Sequence, residues 1–383
     1  MKDVYIFALI GLLITLQSCK EKDKSIAGDV LIIDFKQDDN IRLNEILMTD
    51  YIKLETNESC FIDKSIIQLA CVSDKIFILS GGAERSLYVF DISGNFIGSI
   101  GEKGNGPGEF VVPASFSINT ESNIFSVVDI AQRKIIDYSL DGFNFISEKV
   151  LDYYSSCFEY VDENQLLLKN SDSESSYREW ELLLSDYDLN LKNTYIKKAL
   201  ITGYSTGHTK SIYKYEGKVY AYAQYNPIIY SFEKDKMEPV YHLKFGKFDL
   251  PPKDYLNRIS ANYANFLAEL DVSDYLYYYC AFETKNMLNV YYSVGQEPYV
   301  GFYNKEDSQT YGFSKAFLER ELKIGRMDRP SGTINDFTVA TLQPFDLRER
   351  LDQGYNFDPK LEAFILNSND DDNPILFLYK FKD

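Results

Sequence analysis

Four short apolar runs, IIQLACV, KIFILS, SLYVFDI and NFIGSIG, follow one another between residues 66 and 101, parted by Ser73-Asp74, Gly81-Gly82 and Ser93-Gly94. The next stretch repeats the plan as ASFSINT, NIFSVVD, KIIDYSL and FNFISEKV, with Glu121-Ser122 and Asp141-Gly142 at the breaks. Runs of this length, rich in β-branched and aromatic residues and bounded by turn formers, predict strands. Asp-Gly predicts a hairpin, because such turns need positive φ, which glycine adopts without steric cost.

A strand ending in an aromatic, then a polar residue and a turn, recurs along the chain as LYVFDISGNF, KIIDYSLDGF, LLLSDYDLNL, IIYSFEKDKM, YVGFYNKEDS and ILFLYKFKD. The aromatic anchors are Phe90, Tyr138, Tyr187, Phe232, Tyr303 and Tyr379, at spacings of 48, 49, 45, 71 and 76 residues. Four antiparallel strands in about 47 residues is the unit of a β-propeller blade. The two long spacings hold extra segments. PPKDYLNRISANYANFLAEL opens with two prolines and reads as an inserted helix within 251–272, and two polar helix-compatible stretches fall in 315–354. The sixth repeat ends at the C-terminus without room for an outer strand. YIKLET at 51–56 lies before the first repeat and can supply it, sealing the ring and removing two open edges. The predicted fold is all-β: a six-bladed β-propeller of four-stranded antiparallel blades over 51–383, closed by an N-terminal strand and carrying small helical insertions. A large β-sandwich is the competing architecture.

The composition agrees. There are 31 Tyr and 26 Phe but one Trp, and aromatics suit a pleated, half-buried surface. A formal charge of -18 repels phosphates, so nucleic acid is not an expected partner. With only His208 and His242, a three-histidine metal site is excluded.

Residues Val4 to Leu16 are apolar except for one threonine and one glycine. Thirteen residues span about 20 Å as a helix, short of a bilayer core of about 30 Å, so the run suits a signal-peptide core. Leu16-Gln17-Ser18-Cys19 and the polar KEKDKS after it resemble a bacterial lipoprotein signal. The resemblance implies removal of residues 1–18, acylation of Cys19, a tether over 19–50 and attachment to a membrane, with the outer membrane as the expected address. Cys60, Cys71, Cys157 and Cys280 are scattered; Cys60 and Cys71 could pair across a hairpin, though isolated thiols are commonly small buried hydrophobes.

The first repeat runs into Gly104-Asn105-Gly106-Pro107-Gly108-Glu109-Phe110. This GNGPGEF stretch, with the repeat layout and the lipoprotein start, resembles the NHL-like six-bladed propeller lipoproteins of Bacteroidetes. The resemblance implies the propeller fold and an envelope location more than any chemistry. Residues 104–109 could present backbone N–H groups to an anion as a nest. They could equally be a connection between blades that packs Phe110 inward. No Lys-Ser/Thr follows, so this is no Walker A loop, and no cofactor is expected.

Two weaker metal candidates are the pair His208 and His242, and the run NSNDDDN with Asp370, Asp371 and Asp372; aspartate and asparagine are also ordinary turn residues. No nucleophile elbow or Ser/Cys–His constellation occurs. The expected function is non-catalytic binding of a glycan or peptide ligand, or of an envelope protein, on loops around the channel, the insertions marking the functional face. A lyase or hydrolase acting on a polysaccharide or peptide at the channel mouth is the alternative.

Overall fold

The computed structural model describes residues 30–63, 65–171, 174–202 and 210–382. The signal segment and Cys19 lie outside these residues, as does His208.

The chain opens with β1 (Leu31–Asp34), α1 (Leu43–Ile46) and β2 (Leu47–Lys53). The first blade is β3 (Ile66–Val72), β4 (Lys75–Ser80), β5 (Leu87–Asp91) and β6 (Phe96–Ser99). A short pair, β7 (Glu102–Lys103) and β8 (Glu109–Phe110), leads to the second, β9 (Pro113–Asn119), β10 (Ile124–Asp129), β11 (Lys134–Ser139) and β12 (Phe145–Val150). The third is β13 (Ser155–Tyr160), β14 (Gln165–Asn170), β15 (Trp180–Asp186) and β16 (Leu191–Lys197). The fourth is β17 (Ile212–Tyr215), β18 (Lys218–Tyr222), β19 (Ile228–Glu233) and β20 (Lys236–Lys244). Helices α2 (Lys253–Ile259) and α3 (Tyr263–Asp271) precede the fifth, β21 (Leu276–Glu283), β22 (Met287–Val294), β23 (Glu297–Asn304) and β24 (Thr310–Ser314). After α4 (Lys315–Glu321) come β25 (Gly332–Ile334) and β26 (Phe337–Leu342), then α5 (Pro344–Asp352), α6 (Pro359–Leu366) and β27 (Ile375–Phe381).

The sixth blade is completed by β2, antiparallel to β27 with Tyr51 opposite Phe377, so the N-terminal strand closes the ring. At the same junction the inner strands β25 and β3 pair in parallel, Gly332 beside Leu69. A Cβ on Gly332 would stand 1.9 Å from the Leu69 carbonyl oxygen, so only glycine admits this approach. Alternation along the strands builds the core. In β4, Ile76 and Ile78 pack toward the sixth blade while Phe77 and Leu79 pack toward the second. Equivalent apolar layers lie between the other neighbouring blades.

Three expectations need correction. The tether does not run to residue 50: β1 is a fifth strand beside β20, Phe35 is fully buried, and the propeller strand begins at Leu47. The interval 315–354 is not one excursion, since it contains the blade strands β25 and β26, and the unforeseen helix α6 follows it. At Asp141-Gly142 the positive φ of 57° falls on Phe143. Five anchors sit on third strands, whereas Tyr187 falls just past β15.

Antiparallel alternation gives the propeller two unlike faces. Turns from first to second and third to fourth strands are short everywhere, as at 73–74 and 234–235. All of α2 to α6 lie in connections at the opposite face, either between blades or from second to third strand.

Candidate functional site

The six inner strands converge on the axis, where they line a cavity of about 390 Å³. Each blade contributes: Leu69 and Val72 from β3, Ser117 and Ile118 from β9, Glu159 from β13, Tyr213 and Lys214 from β17, Phe282 and Glu283 from β21, Gly332 and Thr333 from β25. The exposed Thr120, Glu216 and Gly217 stand at its rim beside first-to-second-strand turns, so the cavity opens on the short-turn face.

Two carboxylates project here from corresponding places in two blades. Glu283 is buried and accepts from Lys305 Nζ at 2.7 Å, Tyr241 OH at 2.7 Å and Tyr213 OH at 2.9 Å. Three donors, one of them an ammonium, satisfy it within the protein. These contacts push the Tyr241 and Tyr213 hydroxyls well above their ordinary pKa, burial first and the Glu283 charge second. Glu159 accepts from the Ser117 hydroxyl. Burial raises its pKa, and the Ser117 hydrogen bond, Lys210 and Lys214 act against that rise. Burial lowers Lys210, opposed chiefly by Glu159. Lys214 Nζ donates to the Tyr160 carbonyl at 3.3 Å.

The loop 104–109 spans the parallel pair β7–β8. Glu109 folds back to accept from Gly106 N at 2.8 Å, Glu148 accepts from Gly108 N at 3.2 Å, and the Gly108 carbonyl accepts from Tyr138 OH at 2.8 Å. The chain's own carboxylates thus engage these N–H groups, and Phe110 is buried. Asp129, fully buried, accepts from Val111 N at 2.6 Å, Ala131 N at 2.8 Å and Gln132 Nε2 at 2.9 Å. Pro107, Gly108 and Glu109 also border a wide groove of about 650 Å³ between the first two blades.

His242 lies on β20, the fourth strand of its blade, away from the channel. Asp370 pairs with Arg348 at 2.7 Å and Asp372 with Lys53 at 3.0 Å, while Asp371 sits in the turn between them. Asn373 is buried and pins the crossing from β2 to β3, accepting from Ile62 N at 2.7 Å and donating to the Glu55 carbonyl at 2.7 Å. Among the described residues no group of three His, Cys, Asp or Glu side chains gathers. Cys60 and Cys71 are free thiols, as are Cys157 and Cys280.

The channel residues Glu159, Lys210, Lys214 and Glu283 were not singled out by the sequence reading. A signal exists: Phe158-Glu159 and Phe282-Glu283 repeat the same dipeptide near the ends of two inner strands. One acid pair in a chain with 58 acids is hard to distinguish until the repeats are aligned blade against blade.

A family model described as a 6-bladed beta-propeller, DUF5128, matches residues 21–341. Among solved structures, a Bacteroides fragilis NCTC 9343 protein named for its inferred export is 32% identical with a TM-score of 0.88, covering 92% of this chain and 100% of its own. A DUF4221 family member from Bacteroides vulgatus ATCC 8482 is 10% identical with a TM-score of 0.54, covering 88% of this chain and 99% of its own, a likeness of fold alone. Among curated proteins no match was found.

Proposed function

The chain belongs to the 6-bladed beta-propeller family that its sequence matches over residues 21–341, and from that premise we propose that it is an envelope lipoprotein, acylated at Cys19, whose propeller binds a ligand without transforming it. The observation that carries the reading is the channel cavity of about 390 Å³, within the size range of small-molecule sites, with polar side chains converging from several blades. The Leu16-Gln17-Ser18-Cys19 signal and the exported relative support the address; GNGPGEF supports the NHL-like lipoprotein kind. No helix among the described residues is long and apolar enough to cross a membrane, so an acyl chain at Cys19 is the expected attachment.

Thermal unfolding of the mature chain against glycans and peptides tests this. A ligand at a hundred times its dissociation constant adds about 2.7 kcal/mol. A shift with one class, and that compound recovered unchanged, supports a binder; no shift with any compound removes the small-ligand reading. A second reading, a lyase or hydrolase at the channel mouth, draws on the raised pKa of Glu159 in a cavity. Recovery of cleaved compound selects it. An envelope protein partner is favoured by the helical face, where Tyr263 and Leu267 of α3 and Phe345 of α5 are exposed apolar side chains.

A further inference from the structure

The two faces of the propeller differ in what they show to solvent. Each turn from first to second strand exposes a charged side chain: Asp74, Glu121, Glu163, Glu216, Lys285 and Asp336. Among the described residues, no exposed large apolar side chain falls in these turns or in those from third to fourth strand. The opposite face shows the reverse. Ile201, Leu267, Val272, Phe345 and Leu366 are exposed there, in connections between blades or from second to third strand. Others lie on outer strands, as Ile97 does on β6 and Ile32 on β1.

Resting on the lipoprotein reading above, we infer that this helical face lies on the bilayer that holds the Cys19 anchor. Leu267 and Val272 at α3, Phe345 of α5 and Leu366 of α6 enter the membrane interface, and the channel mouth is turned away from it.

Helix α3 is apolar on more than one side. Phe266 and Leu270 are buried in a cluster with Leu256 and Ile259 of α2. Leu267 is exposed on another side, and Val272 at the end of the helix is 81% exposed. A helix apolar all round belongs against a second apolar phase.

The tether identifies that phase. Leu31 on β1 stands opposite Tyr241, three residues and about 10 Å from the Lys244 end of β20, from which the chain runs on into α2. The segment between Cys19 and Leu31 reaches at most about 40 Å, so an acylated Cys19 keeps a bilayer within range of the helical face. That reach admits either face, and the side chains choose between them. Charged turn tips stay in water, whereas exposed apolar side chains sink about 5–10 Å into the headgroup boundary. Their spread also suits a bilayer. Val272 lies between blades four and five, Phe345 and Leu366 within blade six, whereas protein hot spots cluster at one centre.

The test places the photoreactive residue p-benzoylphenylalanine singly at positions 272, 345 and 366, and at 121 and 163 on the short-turn face, all exposed. The full acylated chain is floated with vesicles of phosphatidylethanolamine and phosphatidylglycerol, then irradiated, and its adducts are read by mass spectrometry. Lipid adducts from 272, 345 and 366 are expected to exceed those from 121 and 163 about tenfold. A chain that floats but gives equal adducts from both faces, no lipid adduct from 272, 345 and 366, or adducts to a second copy of itself overturns the membrane-facing inference. The anchor then stands, and the helical face is left to a protein partner. A chain that does not float removes the lipoprotein reading and this inference together.

Discussion

At the scale of single residues, the firmest structural role belongs to a buried acid. Asp129 accepts from the Val111 and Val112 N–H groups that follow GNGPGEF and from the Ala131 and Gln132 N–H groups of its own turn, so its loss strands several donors together. Leaving buried donors unsatisfied costs about 1–3 kcal/mol each, with relaxation recovering part. Asp129→Ala should therefore lower the urea-derived stability by about 3 kcal/mol or more, whereas Asp129→Asn, which keeps one acceptor oxygen, should lose less. GNGPGEF was legible as a tight connection, but its partner was not, because Asp129 lies on the next blade's second strand and only the fold brings it back. Glu159 gives a second residue-level prediction. Its pKa is raised in the folded state, so the fold binds more protons than the unfolded chain between the ordinary carboxylate value and the folded one. Its contribution is thus most favourable at low pH and is lost as pH rises through that window. Glu159→Gln should remove this decline, and melting midpoints of the two proteins, compared from pH 4 upward, should converge at the acid end.

At the scale of elements, the strands were legible and the N-terminal segment was not. Periodicity located the blade strands because alternate residues serve two apolar layers, as Ile76 and Phe77 do on β4. Residues 30–35 (VLIIDF) carry one apolar run, but it is not followed by the other strands of a blade, since residues 31–46 act as a strap along the outside of blades four to six. Gln37 bridges to Gly312 and Phe35 seats between Gly301 and Gly312. A Cβ on Gly301 would come within 2.6 Å of the Phe35 ring, and one on Gly312 within 2.5 Å of its carbonyl oxygen. Overpacking of this kind costs about 1–3 kcal/mol. Gly301→Ala should destabilise the protein by that amount in guanidinium unfolding, and Phe35→Leu should relieve part of it in the double variant. A strictly additive double variant would remove the strap from the account. The helices were half legible: prolines and spacing marked α2 and α3, whereas α6, which opens with the same kind of signal in Asp358-Pro359, lies between two strands of one blade, where the repeat gave no place for a helix.

At the scale of the whole molecule, the ring and its two faces set what an anchor at Cys19 does. Closure joins the N-terminal strand β2 to the C-terminal strand β27 within one blade. Cys19 is about 11 residues from Val30, a reach of at most about 40 Å. That segment meets the propeller at the outer edge of blade four, beside β20. The channel mouth and the helical insertions lie on opposite faces. An edge attachment between them blocks neither the cavity nor the exposed side chains of α3 and α5. The anchor and the fold should therefore separate cleanly under mutation. Cys19→Ser should abolish incorporation of a labelled fatty acid and move the protein from the membrane to the soluble fraction, because a buried acyl CH₂ contributes about 0.8 kcal/mol to attachment. The melting midpoint and the ligand affinity should stay as they were. A Cys19→Ser protein that remains in the membrane fraction would show that something other than the acyl chain holds it there, and the exposed Tyr263 and Leu267 of α3 would be the first side chains to replace.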